Sequence, residues 1–212
     1  PAELVLTARG GTPLAEVEAQ LASKGQRLPF EPPHFGAGAT IGGAVACGLA
    51  GPARAWAGAL RDYVLGARVL TGDGRVLRFG GEVMKNVAGY DVARLMAGSL
   101  GILGVLLDVS LKVLPRPAAE RTLALEVDQA GALERFAALG RSALPLSAGS
   151  WVGGRLYLRF EGCDATLESV ERRLGRRQHL DAETLEQGAR PELRPGQART
   201  DVVERRVGGL AR

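Results

Sequence analysis

The stretch GAGATIGGAVACGLAG, residues 36–51, carries six glycines, five alanines, one hydroxyl (Thr40), one thiol (Cys47) and no charged side chain. Such a run can serve close packing between elements, burial in a membrane, or a backbone surface that holds a ligand. Membrane burial fails on length, because a spanning helix needs about 20 apolar residues. A P-loop fails because no Gly-Lys-Ser/Thr follows. A dinucleotide fingerprint starting at Gly36 and Gly38 has Ile41 where its third glycine belongs. A different phosphate cradle remains. Thr40 is a good N-cap, and Ile41, Gly42 and Gly43 would form the first turn of a short helix continuing through Ala44, Val45 and Ala46. N–H groups left unpaired at that turn would point outward, where the helix dipole favours an anion. Packing filler stays open as the plain alternative. Against it stands the cost of about 1 kcal/mol that each helical glycine carries.

Side chains able to do acid–base or metal chemistry are few. His34 and His179 belong to no cluster with metal-ligand spacing, and Cys47 and Cys163 lie far apart with no C-x-x-C. No metal ligand and no catalytic residue is assigned. His34 follows Pro33 in the loop before the cradle, either beside a bound ligand or simply on the surface. Tyr90-Asp91 reads as a buried, hydrogen-bonded turn rather than an acid–base pair. Lys85 is either a counter-charge to an anionic ligand or a strand-end lysine. Gly98, Gly101 and Gly104 form a second glycine-rich stretch, either a tight turn entering a strand or a further backbone lining for a ligand.

The elements that must position these residues follow from periodicity and punctuation. Residues 4–6 predict a strand. Thr12 as N-cap and Pro13 in the first turn open a helix whose Leu14, Val17 and Leu21 share a face, and Gly25 closes it. Residues 28–30 are a brief extended piece before Pro32-Pro33. Residues 63–70 and 75–79 flank Gly72-Asp73-Gly74 as a hairpin. Residues 91–96 read as helix and 104–114 as a long strand stopped by Pro115-Arg116-Pro117. That proline pair marks a boundary. Beyond it come a strand at 122–127, a helix at 131–139, two strands around Gly153-Gly154 and a helix at 165–174, most of a ferredoxin-like unit. The expected division is residues 1–117, 118–175 and a loosely structured, Arg-rich tail at 176–212.

Of 212 residues, 46% are hydrophobic and 24% charged, which suits one large or two small globular domains rather than disorder. The net charge of +4 collects largely after Glu171. With 5% aromatic residues and no basic stretch interleaved with rings, nucleic acid is not an expected partner. Isolated cysteines fit a reducing compartment, and neither a signal peptide nor an 18-residue apolar run is present in the sequence. Cytoplasmic localisation is the expectation.

The string GATIGGAVACGLAG, then GALRDYVLG from Gly58 to Gly66, resembles the FAD-binding (PCMH-type) domain of the vanillyl-alcohol oxidase/p-cresol methylhydroxylase superfamily. KNVAGYDVARLMAGSLGILGVLLDVSLKVLPRP, Lys85 to Pro117, resembles the rest of that signature. Closer still, EPPHFGAGAT, VACGLAGP, RFGGEVMKNVAGYD and KVLPRP are similar to the glycolate oxidase subunit family. The resemblance implies an α+β fold: the second subdomain of a PCMH-type domain, without the family's N-terminal subdomain and C-terminal segment, followed by a small ferredoxin-like βαββα cap fragment. It implies non-covalent FAD. Thr40, Ile41, Gly42 and Gly43 match the pyrophosphate-contacting stretch, and Gly58 and Asp62 the segment passing the isoalloxazine ring. Gly98, Gly101, Gly104 and Val105 match a stretch lining the flavin and adenosine. Leu100 and Ile102 stand where the family commonly has Glu and Thr.

The implied function is an FAD-dependent oxidoreductase component, in a glycolate oxidase or 2-hydroxy-acid dehydrogenase complex whose flavin accepts hydride from the hydroxy acid. Its implied partners are a catalytic flavoprotein subunit and an iron–sulfur subunit, in a homo- or hetero-oligomer with peripheral membrane association through the complex. A non-catalytic assembly subunit that keeps the fold without tightly bound FAD is the alternative, and a binding module for another diphosphate ligand a third. An exposed apolar face is expected near the first strand and the cradle helix.

Overall fold

The computed structural model describes residues 4–81 and 90–175. The expected tail at 176–212, with His179, and Lys85 all lie outside the described residues. The chain divides into two compact units, Pro1–Arg116 and Pro117–Arg212.

In the first unit, alternation builds an antiparallel sheet. Strand β1 (Val5–Arg9) turns Leu6 and Ala8 to the core and Val5, Thr7 and Arg9 outward. Its partner β5 (Val105–Lys112) pairs in turn with β3 (Val64–Leu70), and β3 with β4 (Val76–Gly80), giving the order β1-β5-β3-β4. The β3–β4 turn closes where Gly74 takes a left-handed conformation (φ +81°) and donates to Thr71 O. Helix α1 (Leu14–Ser23) buries Leu14, Val17 and Leu21. Its cap is Pro13, one residue later than the sequence suggested, and no side chain caps it. Thr12 is occupied elsewhere: its carbonyl accepts from Ile41 N–H at 2.9 Å.

The remaining elements cover the sheet's inner face. Helix α2 (Ile41–Cys47) contributes Ile41 and Val45 to the core, and α4 (Val92–Leu95) contributes Ala93, followed by Met96. Between them lie α3 (Arg54–Ala57) and a 3-10 turn (Leu60–Tyr63). Strand β2 (Gln26–Arg27) pairs with β6 (Leu114–Pro115), so residues 26–27 rather than 28–30 are the extended piece. Phe30 and Tyr63 meet in this core with ring centroids 6.0 Å apart.

The second unit runs β7 (Ala119–Glu126), α5 (Gln129–Gly140), β8 (Leu146–Val152), β9 (Arg155–Gly162) and α6 (Asp164–Gly175). Its antiparallel sheet has the order β7-β9-β8, the strand arrangement of a split βαβ unit. Alternation along β9 sends Leu156, Leu158 and Phe160 into a core shared with Ala132, Leu167 and Val170 of the two helices. Asp128 caps α5 by accepting Gly131 N–H at 2.9 Å, and Trp151 Nε1 donates to Val127 O at 2.8 Å.

Candidate functional site

The first turn of α2 differs from a cradle of unpaired donors. Ile41 N–H donates to Thr12 O (2.9 Å) and Gly42 N–H to Gly10 O (2.8 Å). Gly43 N–H donates to Thr40 Oγ1 (3.1 Å) and Ala44 N–H to Thr40 O (2.9 Å). Thr40 is the expected N-cap, with extended backbone (φ −117°, ψ 159°). All four N–H groups are satisfied within the chain, so the expected outward-pointing donors are not there. The β1–α1 loop takes two of them, through Gly10 O and Thr12 O, and Thr40 takes the other two.

Two adjacent glycines at this turn serve different ends. A Cβ at Gly42 would lie 2.7 Å from Gly10 O and 2.8 Å from Gly10 Cα, and one at Gly10 would lie 2.2 Å from Leu106 O of β5. Gly10 is thus pressed between a strand carbonyl and the helix, and Gly42 is glycine because backbone packs on backbone there. That is the filler reading, realised at Gly42. Gly43 is exposed, and a Cβ there would meet only Thr40 Oγ1 at 3.2 Å. Its outward side is open to a ligand.

At the other end, α2 is joined to the second glycine-rich stretch. Gly48 (φ +65°) caps the helix, and a Cβ there would come within 2.9 Å of Gly98 N. Gly98 N–H donates to Val45 O (3.0 Å) and Leu100 N–H to Ala46 O (2.9 Å), which satisfies carbonyls at the end of the helix. Gly98 (φ +83°) and Gly101 (φ +80°) face open space where a Cβ would meet nothing within 4 Å. Leu100 between them holds a left-handed φ of +52° that costs a β-carbon-bearing residue energy. Gly104, by contrast, is packed against Leu70 O of β3, 2.6 Å from where a Cβ would sit. Its role is structural.

Ser99, which sequence reasoning passed over, sits inside this turn. Its Oγ is buried and has no hydrogen-bond partner among the described residues. A buried hydroxyl without a partner costs about 1–3 kcal/mol. Around it the surface is apolar: Leu100 is 70% and Ile102 84% exposed, with Leu49, Leu103 and Val105 also open. The expected exposed apolar face therefore lies at the C-terminal end of α2 and along the 98–105 turn. It does not run along β1, whose outward residues are Val5, Thr7 and Arg9.

The remaining sequence candidates occupy local roles. Gly58 (φ +98°) caps α3 and packs on Asp62, whose Oδ2 accepts Ala59 N–H at 2.9 Å. Tyr63 donates its hydroxyl to Ala57 O, and burial, then the charge of Asp62, raise its pKa. Asp91 caps α4 through Arg94 N–H (3.2 Å), but Tyr90 is 95% exposed, which corrects the expected buried turn. His34 Nε2 lies 3.2 Å from Glu18 Oε1, tying the loop before Thr40 to α1. Thr40–Gly43 and Gly98–Gly101 thus sit at opposite ends of α2, separated by its length of about 10 Å. Gly58 and Asp62 are held chiefly by each other. Among the described residues there is no group of His, Cys, Asp or Glu that could hold a metal ion, and no helix long and apolar enough to cross a membrane.

Residues 1–80 match the FAD binding domain family. The chain is 54% identical over 175 residues to glycolate oxidase subunit GlcE of Escherichia coli, covering 82% of this chain and 50% of that protein. It is 35% identical over 120 residues to glycolate oxidase subunit GlcD of Bacillus subtilis, covering 57% of this chain and 25% of that protein. A solved structure of alkyldihydroxyacetonephosphate synthase superposes with a TM-score of 0.63 at 20% identity, covering 82% of this chain and 38% of that one, a likeness of fold. The chain spans half the length of the GlcE relative and less of the GlcD relative. The stretch that matches the FAD binding domain family falls within its first unit.

Proposed function

We propose that the chain is the FAD-holding part of a glycolate oxidase subunit, working beside a catalytic flavoprotein subunit and an iron–sulfur subunit on a 2-hydroxy acid. The observation that carries this is the 98–101 turn: two glycines open to solvent beside a buried serine hydroxyl without a partner among the described residues, fixed to the end of α2. FAD would be held there without a covalent bond. Gly98 and Gly101 would let a flat ring approach the backbone, a turn of the Ser99 side chain would bring its Oγ a hydrogen-bond partner, and Leu100 and Ile102 would offer apolar rather than polar contacts. Gly43, at the far end of α2, admits a phosphate on its open side. Bound flavin supplies hydride acceptance from the carbon bearing the hydroxyl, and the protein supplies orientation. The subunit names of the relatives support a multi-subunit assembly.

The alternative of an assembly subunit without tightly bound FAD draws on one observation: the first-turn N–H groups of α2 are already spent on Gly10 O, Thr12 O and Thr40. Equilibrium dialysis with FAD separates the two. On the flavin reading, the parent chain retains FAD with the visible absorption of bound flavin, and Ser99→Ala weakens retention about tenfold, the loss of one hydrogen bond of about 1–1.5 kcal/mol. The same variant leaves the apo fold as stable as the parent or more so, since it removes an unsatisfied buried group. No retention by the parent, or full retention by Ser99→Ala, sinks the proposed site.

A further inference from the structure

The outer face of the four-stranded sheet, opposite the core that α2 and α4 pack into, carries a row of cations that the flavin reading does not use; at its β1 end Arg9 also lines a cavity with Glu16 and Gln20 of α1. Residues directly opposite one another on paired strands share a face. Arg78 of β4 stands opposite Arg68 of β3, Arg68 opposite Asp108 of β5, and Asp108 opposite Arg9 of β1. All four strands thus present charge in one line about 15 Å long. The neighbours Ala8, Ala67, Phe79 and Val109 pack into the core, which fixes the row on the opposite face. Arg68 Nε is held by Asp108 Oδ2 at 2.7 Å. Among the described residues, Arg9 and Arg78 pair with no acid, and both are exposed. Within the row, one carboxylate stands among three guanidinium groups.

The rows beside it are flat. On one side run Gly80, Gly66, Ser110 and Thr7, small residues in register. On the other run Val76, Leu70 and Val105, with the two valines more than half exposed. From this we infer that the outer sheet face is a docking surface for an acidic protein surface, one whose carboxylates meet Arg9, Arg68 and Arg78 while an apolar edge meets Val76, Leu70 and Val105. Charge complementarity selects the occupant. Planar guanidinium forks held at strand spacing suit carboxylates, which they grip bidentately. The apolar row is short and flush, which matches a protein partner better than a bilayer, where long apolar side chains would have to insert.

Poly-L-glutamate serves as the probe, titrated by fluorescence anisotropy against the whole 212-residue chain at low and moderate salt. Arg9→Gln with Arg78→Gln removes two charges and leaves the Arg68–Asp108 pair intact. Arg141→Gln with Arg173→Gln removes two exposed charges from the second unit. The first pair is expected to weaken binding about tenfold and the second by less than twofold. In parallel, phenylglyoxal labelling of the parent chain should show Arg9, Arg68 and Arg78 protected by poly-L-glutamate and Arg141 and Arg173 not. That arm needs no variant to fold. Equal losses from both pairs, or equal protection at all five arginines, would show attraction to net charge alone. Binding to phosphatidylglycerol vesicles through the row, with poly-L-glutamate left unbound, would overturn the choice of partner.

Discussion

Gly42 and Gly43 are chemically identical neighbours with opposite expected responses to one added methyl. At Gly42 the methyl would meet the backbone of Gly10, which cannot move without pulling on Leu106 of β5. Gly42→Ala should therefore cost about 1–3 kcal/mol, the range for overpacking a rigid site, read as a lower urea midpoint. Gly43→Ala meets only a side-chain oxygen and gains helix propensity, so its stability should hold or rise by up to about 1 kcal/mol. FAD retention should fall in Gly43→Ala despite the intact fold. The two glycines look alike in sequence because what separates them, the carbonyl of Gly10, is more than 30 positions away. Ser99 was hidden for the same reason: a serine in a glycine-rich turn is ordinary until burial and a missing partner are both known. A second residue-scale expectation concerns Cys163. The hydroxyl and backbone N–H of Thr166 stabilise its thiolate and lower its pKa below the usual thiol value, with Sγ 3.0 Å from Thr166 Oγ1. Iodoacetamide labelling of Cys163 should set in at lower pH than for a free cysteine, and Thr166→Val should move that onset upward.

Among the elements, those built on local rules were legible. The Gly72-Asp73-Gly74 turn gave the β3–β4 hairpin, and alternation gave β5 and β9. Helix α5 begins two residues before its apolar pattern because Asp128, outside that pattern, is the cap. Asp128→Ala should accordingly cost about 1 kcal/mol. The loss should appear in the second unit's melting and leave the near-ultraviolet signal of Tyr63 in the first unit unchanged. The Thr12 cap failed in sequence for the opposite reason, since a long-range bond to Ile41 claimed its backbone and moved the helix start to Leu14. Local signals place an element to within a residue or two, and tertiary hydrogen bonds decide the rest.

For the whole molecule, each unit has its own buried cluster, one around Phe30, Ile41 and Leu111 and one around Leu156, Leu158 and Phe160. Within the first unit, α2 is only seven residues long, too short to persist alone in water. It is fastened at its start by Gly10 and Thr12 and at its end by Gly98 and Leu100. Three segments spread over about 90 residues must therefore arrive together before this helix exists, which makes it a late and slow event in folding. The same geometry makes its amides a gauge of global opening. In deuterated solvent, the N–H groups of Ile41, Gly42, Gly98 and Leu100 should exchange together and at the rate of the unit's full unfolding. Independent, faster exchange at residues 98 and 100 would mean that the turn breathes away from α2. With joint exchange, a seven-residue helix that looks like a detail of the site keeps time for the entire domain.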